Sequence, residues 1–113
     1  MLSISLQSLK IYVLSIMTKK NIINNAPKSV GNYPHSVEVN GMLYLSGIGP
    51  RNPRDNSIPG NEYNANGDLI NYDIKQQTHA VFDNIKIILK ESNSSLKNLI
   101  DITVFLTDMK KDF

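Results

Sequence analysis

The sequence contains no cysteine and only two histidines among its 113 residues. The lack of thiols excludes disulfide bonds, thiolate nucleophiles and thiolate metal ligands. Two histidines alone do not make the closed coordination shell of a structural zinc ion. Any chemistry must therefore use tyrosine, histidine, arginine, carboxylates or backbone groups. The absence of cysteine also suits a reducing compartment, and we expect the cytoplasm.

Clusters of one charge sign and long apolar runs are also missing. The formal net charge is +2, and the lysines and arginines are scattered among acids. No basic stripe follows a phosphate backbone, so we expect no nucleic-acid partner. Residues 1–17 are apolar but too short to span a bilayer, so we expect no membrane insertion either.

The segment 1–16 is interpreted as an extension that precedes the folded domain. Met17 is followed by the polar residues TKKN and resembles a natural start. A secretory signal carries charge before its apolar run, whereas Lys10 lies inside this one, and a mitochondrial presequence carries arginines, which are absent here. A targeting peptide and an added strand remain alternatives. Residues 17–113 have the length of one domain.

The pair Asn40-Gly41 separates two β-prone segments, 36–39 and 42–46. Asparagine and glycine readily adopt the positive φ angles of a two-residue hairpin turn. We therefore predict a β-hairpin from Ser36 to Ser46.

Two irregular segments flank this hairpin. Residues 18–32 are polar and predict a lead-in with one short strand around Ile22 and Ile23. Residues 47–72 are rich in glycine, proline and asparagine and predict a long loop, in which Asn66-Gly67 marks a second small hairpin.

Asp73 begins a predicted helix, because its carboxylate can accept from free backbone amides and Gln76 can reach back to complete a capping box. Asn93 is suited to the left-handed conformation that ends a helix, and SSLKNL supplies a connecting turn. The residues that follow helical spacing on one apolar face are Ile74, Thr78, Val81, Phe82, Ile85, Ile88 and Leu89.

Residues 100–107 alternate between two faces, which predicts a strand. Its predicted inner face carries Ile100, Ile102, Val104 and Leu106. A strand–helix–strand order in one short domain implies an α+β fold in which a helix covers one face of a sheet.

Three separated segments resemble the RidA/YjgF family of enamine and imine deaminases: APKSVGNYPHSVEVNGMLYLSG, THAVFDNIKIILKESNSSLKNLID and ITVFLTDM. The resemblance extends over residues 25–113. SGIGPRNPRDNSIPGNEYNANGDLINYDI and the ending MKKDF are similar to the 2-aminomuconate deaminase branch. The resemblance implies a chorismate-mutase-like α+β fold and a homotrimer whose sites lie in the clefts between subunits.

The same resemblance implies a hydrolytic deamination, in which water adds to a C=N carbon and ammonia leaves. That reaction needs a donor for the substrate carboxylate, backbone groups that fix the imine and the water, one acid or base, and no cofactor. The expected substrate is a small enamine or imine carboxylate such as 2-aminomuconate. The alternatives are a general 2-iminopropionate deaminase and a non-catalytic member that binds a ligand or a protein.

Tyr33, Ser46 and Gly47 match the family motif, which implies that Tyr33 flanks the cleft and that the Ser46-Gly47 backbone lies against the ligand. Without the resemblance, Tyr33 is interpreted as an aromatic residue at a strand edge. Ile48 stands where many relatives have glutamine, so the polar contacts of this site should differ.

His35 and Arg51 complete the candidate set. Imidazole exchanges protons near neutral pH, so His35 is predicted as a proton shuttle; the alternative is a polar residue that begins a strand. Arg51 follows the SGIGP turn, and its forked guanidinium suits the second carboxylate of a dicarboxylate; the alternative is a solvent-exposed loop residue. The predicted catalytic residues are Tyr33 and His35, and the predicted substrate-binding residues are Ser46, Gly47, Ile48 and Arg51.

The family pattern continues beyond the point where Phe113 stands. Its further helix and strands carry an arginine that grips the substrate carboxylate and a glutamate that orients the water, and an asparagine of relatives is replaced here by Lys110 or Lys111. Subunits of a homotrimer are identical, so no neighbour supplies what every copy lacks. We therefore expect residues 17–113 to form a partial domain without its C-terminal helix and last two strands: either the sequence is a partial record, or its product is inactive.

Overall fold

The computed structural model describes the backbone of residues 2–4 and the whole of residues 18–113. The helices are α1 (Ile74–Glu91), a short 3₁₀ helix (Leu96–Asn98) and α2 (Met109–Asp112). The strands are β1 (Leu2–Ile4), β2 (Thr18–Asn21), β3 (Ser36–Val39), β4 (Met42–Leu45), β5 (Glu62–Tyr63), β6 (Leu69–Asn71) and β7 (Val104–Leu106).

The predicted hairpin is confirmed. Strands β3 and β4 pair antiparallel, with Val39 opposite Met42. Asn40 and Gly41 form the turn with φ angles of 49° and 78°, both in the positive region that a type I′ turn requires. Strand β3 is the central strand of a three-stranded antiparallel sheet in the order β2-β3-β4.

The first strand of this sheet begins earlier than predicted. It covers Thr18–Asn21, while Ile22 is 79% exposed and Ile23 is buried in the core. The prediction of a strand around Ile22 and Ile23 is therefore wrong in position, because the chain leaves the ladder there and turns Ile23 inward. The second predicted hairpin is confirmed as β5 and β6, with Gly67 at a φ of 84°.

Helix α1 begins where Asp73 predicts it. The Asp73 carboxylate accepts from the amides of Lys75 (2.9 Å) and Gln76 (3.1 Å). The predicted capping box is wrong in one detail: the Gln76 side chain donates to the Asp73 carboxylate, because the Asp73 amide already donates to the carbonyl of Gly60. The helix ends at Glu91, and Asn93 follows with a φ of 59°, as predicted.

The core lies between one face of α1 and the β2-β3-β4 sheet with its adjoining loops. Val81, Ile85, Ile88 and Leu89 pack there against Ile23, Ala26, Leu45 and Ile48. The end of the helix is fastened to the sheet by polar contacts: the fully buried hydroxyl of Ser36 hydrogen-bonds the Ser92 hydroxyl at 3.0 Å and accepts from the Asn21 amide at 3.1 Å. The predicted α+β arrangement, with a helix on one face of an antiparallel sheet, is confirmed.

The predicted strand over residues 100–107 is shorter than expected. Only Val104–Leu106 form a strand, which pairs antiparallel with Leu2–Ile4. Ile100 is 79% exposed, whereas Ile102 and Leu106 pack against the core. Strand β1 pairs with residues 104–106 alone, so residues 100–103 have no pairing partner in this ladder. Apart from residues 2–4, the segment 1–16 lies outside the residues that the structure describes.

Among the described residues, no helix combines the length and the apolar character needed to cross a lipid bilayer.

Candidate functional site

A cavity of about 520 Å³ lies between the loop that precedes β3 and the loop that follows β4. All six predicted site residues line it: Tyr33, His35, Ser46, Gly47, Ile48 and Arg51. Its inner wall is completed by Ile88 of α1 and its outer wall by Ile58. The hairpin brings the two loops together, because residues that precede β3 and follow β4 must meet at the open end of the β3–β4 ladder.

Among the described residues, the charged side chains that line this cavity are those of Lys28 and Arg51, and no carboxylate lines it. Such a wall favours an anionic ligand, because no acidic side chain competes for the cations. A larger groove of about 780 Å³ runs beside β4, but its lining carries both signs, with Lys19 opposed by Glu38 and Asp101. The smaller cavity is therefore the candidate site.

Arg51 is half-buried at the edge of this cavity. Its Nη2 donates to the carbonyl of Lys28 at 2.6 Å, and its Nη1 makes a long contact of 3.4 Å with the amide oxygen of Asn56. A guanidinium has five N–H donors, and no carboxylate of residues 18–113 lies within ion-pair distance of this one. Arg51 thus fastens the Lys28 loop and keeps further donors for a ligand.

Asn84 of α1 holds the loop that carries Arg51. It is 3% exposed, and its Nδ2 donates to the carbonyls of Gly49 (3.0 Å) and Arg51 (2.9 Å). Both partners can only accept, so the amide nitrogen must face them. The helix therefore fixes the backbone on both sides of Pro50 at the cavity wall.

The two ring nitrogens of His35 are both engaged by backbone groups. The amide of Ile23 donates to Nδ1 at 2.9 Å, and Nε2 lies 2.9 Å from the carbonyl of Pro27. An amide can only donate and a carbonyl can only accept, so Nδ1 carries the lone pair and Nε2 carries the hydrogen. The imidazole is 8% exposed and has no nitrogen left for a ligand. His35 secures the loop that forms the cavity wall.

Ser46, Gly47 and Ile48 follow β4 and line the cavity. The Ser46 hydroxyl donates to the carbonyl of Pro34 at 2.6 Å and its amide donates to the carbonyl of His35 at 3.0 Å. Ser46 therefore joins the two loops. Gly47 is exposed, and Ile48 is 7% exposed with its side chain in the hydrophobic core.

Tyr33 stands at the mouth of the cavity, 43% exposed. Its amide donates to the carbonyl of Gly31 at 3.0 Å, which closes a tight turn. Its ring lies directly over Gly31, and its hydroxyl makes no hydrogen bond with residues 18–113. The phenol is thus available to a ligand.

Asp55 and Tyr72 have shifted pKa values. Hydrogen bonds from the hydroxyl and amide of Ser57 lower the pKa of Asp55 in the long loop. The hydrogen bond that Tyr72 donates to Asp112 at 2.8 Å raises the pKa of Tyr72, and Lys111 lies 3.9 Å from the centre of the same ring. The first contacts stabilise the turn at Asp55, and the second join Tyr72 to the last two residues of α2. Among residues that the structure describes, no group of three acidic or histidine side chains is arranged to hold a metal ion.

Two polar residues of α1 escaped the sequence analysis. Gln77 is 1% exposed and donates to the Asn61 side chain at 2.8 Å, and Asn84 supports the cavity wall. Both lie three or four residues from Val81, on its buried face. A polar side chain inside an apolar stripe needs a buried hydrogen-bond partner. The position of Gln77 and Asn84 within the stripe could therefore have indicated their role from the sequence.

Comparisons with known proteins agree with this architecture. The profile of the family described as endoribonuclease L-PSP matches residues 23–113. A RutC family protein of Sulfurisphaera tokodaii is 42% identical over 74% of this chain and 58% of its own length. A RutC family protein of Pyrococcus horikoshii is 35% identical over 75% of this chain and 59% of its own. The chain thus spans less than two thirds of the curated relatives that it matches.

Solved structures support the same assignment. A Thermotoga maritima crystal structure superposes with a TM-score of 0.64 and 32% identity, over 81% of this chain and 64% of its own. A Yersinia pestis protein of unknown function from the Rid family gives a TM-score of 0.52 and 32% identity, over 70% and 54%. The profile match and these relatives together show that the chain belongs to the family described as endoribonuclease L-PSP, the family of the RutC and Rid proteins.

Proposed function

We propose that the protein hydrolyses a small enamine or imine carboxylate to a keto acid and ammonia. The observation that carries this proposal is the cavity at the end of β3 and β4. Among residues 18–113 its lining has two cations and no carboxylate, and the Tyr33 hydroxyl at its mouth has no hydrogen-bond partner there. In the reaction, the oxygen of water bonds to the imine carbon, the C–N bond breaks and the nitrogen leaves as ammonia. Family membership supports this reaction class.

The residues divide the work as follows. The remaining N–H groups of Arg51 bind the second carboxylate of a dicarboxylate ligand in the forked geometry that a guanidinium favours. Tyr33 is the acid or base that moves a proton at the imine nitrogen or the water, because it lines the cavity and its hydroxyl has no hydrogen-bond partner among residues 18–113. The Ser46-Gly47 backbone lies along the ligand, and Ile48 supplies an apolar surface.

His35 has a supporting role in this proposal rather than the proton transfer that the sequence suggested. Its Nδ1 lone pair and its Nε2 hydrogen are both used by Ile23 and Pro27. A proton shuttle would have to break one of these buried hydrogen bonds in each cycle, at a cost of about 1 to 3 kcal/mol. His35 therefore positions the loop that carries Tyr33.

The preferred substrate in this proposal is a dicarboxylate such as 2-aminomuconate. Arg51 supports it, because a second carboxylate gives the guanidinium a partner that a monocarboxylate such as 2-iminopropionate lacks. The general 2-iminopropionate deaminase is the alternative within the same reaction class. We also propose a cytoplasmic homotrimer with this cavity in the cleft between subunits; light scattering on the purified protein tests the assembly.

The decisive experiment measures ammonia release from enzymatically generated 2-aminomuconate and 2-iminopropionate, with the protein produced from its complete reading frame. We expect protein-dependent acceleration, and Arg51→Ala should reduce turnover of 2-aminomuconate about tenfold more than that of 2-iminopropionate. Arg54→Ala is the matched control, because Arg54 is an exposed arginine of the same loop and does not line the cavity. Equal losses on both substrates would remove Arg51 from the specificity role. Ligand binding without turnover would favour the non-catalytic alternative.

RNA is not the substrate in this proposal, although the family description names an endoribonuclease. The net charge of +2 and the scattered lysines supply no basic track for a phosphate backbone. The same preparation should leave a structured RNA and a single-stranded RNA intact over hours. Cleavage that Tyr33→Phe and Arg51→Ala abolish would assign the cavity to RNA instead.

A further inference from the structure

A second cavity of about 430 Å³ adjoins the candidate site. It shares four lining residues with the first cavity, namely Lys28, Ser29, Tyr33 and His35. Residues that line both cavities form the wall between them. Within residues 18–113, the charged residues that line the second cavity are Lys20 and Lys28, and no carboxylate lines it.

Most of this wall is fixed. His35 is bound through both ring nitrogens, and the carbonyl of Lys28 accepts from Arg51 at 2.6 Å. The Tyr33 ring is different, because its hydroxyl has no hydrogen-bond partner among residues 18–113 and the side chain is 43% exposed. Movement of the Tyr33 ring is therefore the simplest way to join the two cavities.

Gly31 sets the position of that ring. A Cβ at residue 31 would lie 2.8 Å from Cε1, 3.1 Å from Cδ1 and 4.0 Å from Cζ of Tyr33, and these are its three nearest neighbours. Gly31 is not among the glycines with positive φ. Glycine is required there for the close approach of the ring and not for the backbone conformation.

We propose that the Tyr33 ring, seated against Gly31, is a partition that limits the length of the ligand, and that the second cavity takes the far carboxylate of a longer linear dicarboxylate when the ring is removed. The proposal deepens the proposed function, because it rests on a carboxylate ligand in the first cavity. It makes Gly31 a positioning residue for specificity. Lys20 and Lys28 supply the charge that a far carboxylate would meet.

The test is calorimetric binding of two stable probes, succinate and the much longer sebacate, to the whole protein. We expect Tyr33→Ala to lower the ratio of the sebacate Kd to the succinate Kd about tenfold, whereas Tyr33→Phe keeps the ring and the wild-type ratio. An unchanged ratio in Tyr33→Ala would overturn the partition. Tyr33 is exposed, so thermal melts should show that these variants fold.

Gly31→Ala tests the positioning role. The added methyl group displaces the ring, so the ratio should fall part of the way, about threefold. In a Tyr33→Ala background the same substitution should have no further effect, because the atoms it would meet are gone. A persistent effect of Gly31→Ala in that background would show that Gly31 acts through something other than Tyr33.

Lys20→Gln in the Tyr33→Ala background tests the second cavity, and it should reverse most of the gain in sebacate affinity. Lys97→Gln, an exposed lysine far along the chain, is the control and should leave the ratio unchanged. A gain that survives Lys20→Gln would contradict the proposed seat of the far carboxylate. The outcomes separate the two proposals. If ammonia release is absent but the binding ratios are as expected, the proposed enzyme activity is wrong and the partition stands. If ammonia is released but the binding ratios do not change, only the partition is wrong.

Discussion

Removal of the Asn84 side chain should weaken the fold and the candidate site together. Asn84 donates two buried hydrogen bonds from α1 to the carbonyls of Gly49 and Arg51. Each hydrogen bond contributes about 0.5 to 1.5 kcal/mol net, so Asn84→Ala should lower the free energy of unfolding by about 2 kcal/mol. For a domain of this size, that loss corresponds to a Tm about 10 °C lower.

Urea denaturation followed by circular dichroism measures the loss, and succinate titration measures the effect on the site. Asn84→Asp keeps the shape of the side chain but places an acceptor against two carbonyls, so it should be at least as destabilising. Asn98→Ala is the matched control, because the exposed Asn98 amide makes one long contact of 3.3 Å, and its effect should stay within about 0.5 kcal/mol. A change equally small in Asn84→Ala would refute the assignment of Asn84 as the support of the cavity wall.

Three further predictions concern Gly60, Asp73 and Ser36. Gly60→Ala should lower the free energy of unfolding by more than about 1 kcal/mol, because residue 60 has a φ of 77° and an added Cβ would lie 2.8 Å from the Cβ of Asp73. Gly67→Ala is the control: residue 67 has a φ of 84°, but no atom lies within 4 Å of an added Cβ, so the free energy of unfolding in the same urea titration should fall by less. Hydrogen bonds from Gln76 lower the pKa of Asp73 in the folded protein, so the stability that the Asp73 carboxylate contributes is present above the ordinary carboxyl pKa and is lost as the pH falls through the folded-state pKa. Thermal melts between neutral and acid pH should therefore show a shallower loss of Tm for Asp73→Asn than for the wild type. Parallel curves would contradict this linkage. Ser36→Ala should cost about 1 to 3 kcal/mol in chemical denaturation, because it removes a fully buried hydroxyl and leaves its two partners unsatisfied, and a neutral effect would show that water replaces it.

Local chemistry determined the features that the sequence predicted well. The Asn40-Gly41 turn and the Asp73 cap depend on neighbours within a few residues, so their residue types alone indicate them. The grouping of the six candidate site residues around one cavity came from the family resemblance, and the hairpin geometry explains it.

Long-range partners determined the features that the sequence did not predict. His35 has the side-chain chemistry of a proton shuttle, but its two ring nitrogens are occupied by the amide of Ile23 and the carbonyl of Pro27. Both groups belong to a loop whose path the sequence does not specify. Asn84 was hidden in an apolar stripe, since its partners lie more than thirty residues away. The predicted strand over residues 100–107 was too long. The alternation of apolar and polar residues indicates which residues suit a strand but not where a pairing strand lies.

The pairing of β1 with β7 has a consequence for the order of folding. Leu2 lies opposite Leu106, so this ladder closes a loop of about 100 residues at an entropic cost of about 4 kcal/mol, against about 2 kcal/mol for a hairpin such as β3–β4. The β1–β7 ladder has three residue pairs to repay that cost. It should therefore form last and open first, so that the amide of Phe105 exchanges with deuterium while the amides of the central hairpin are still protected.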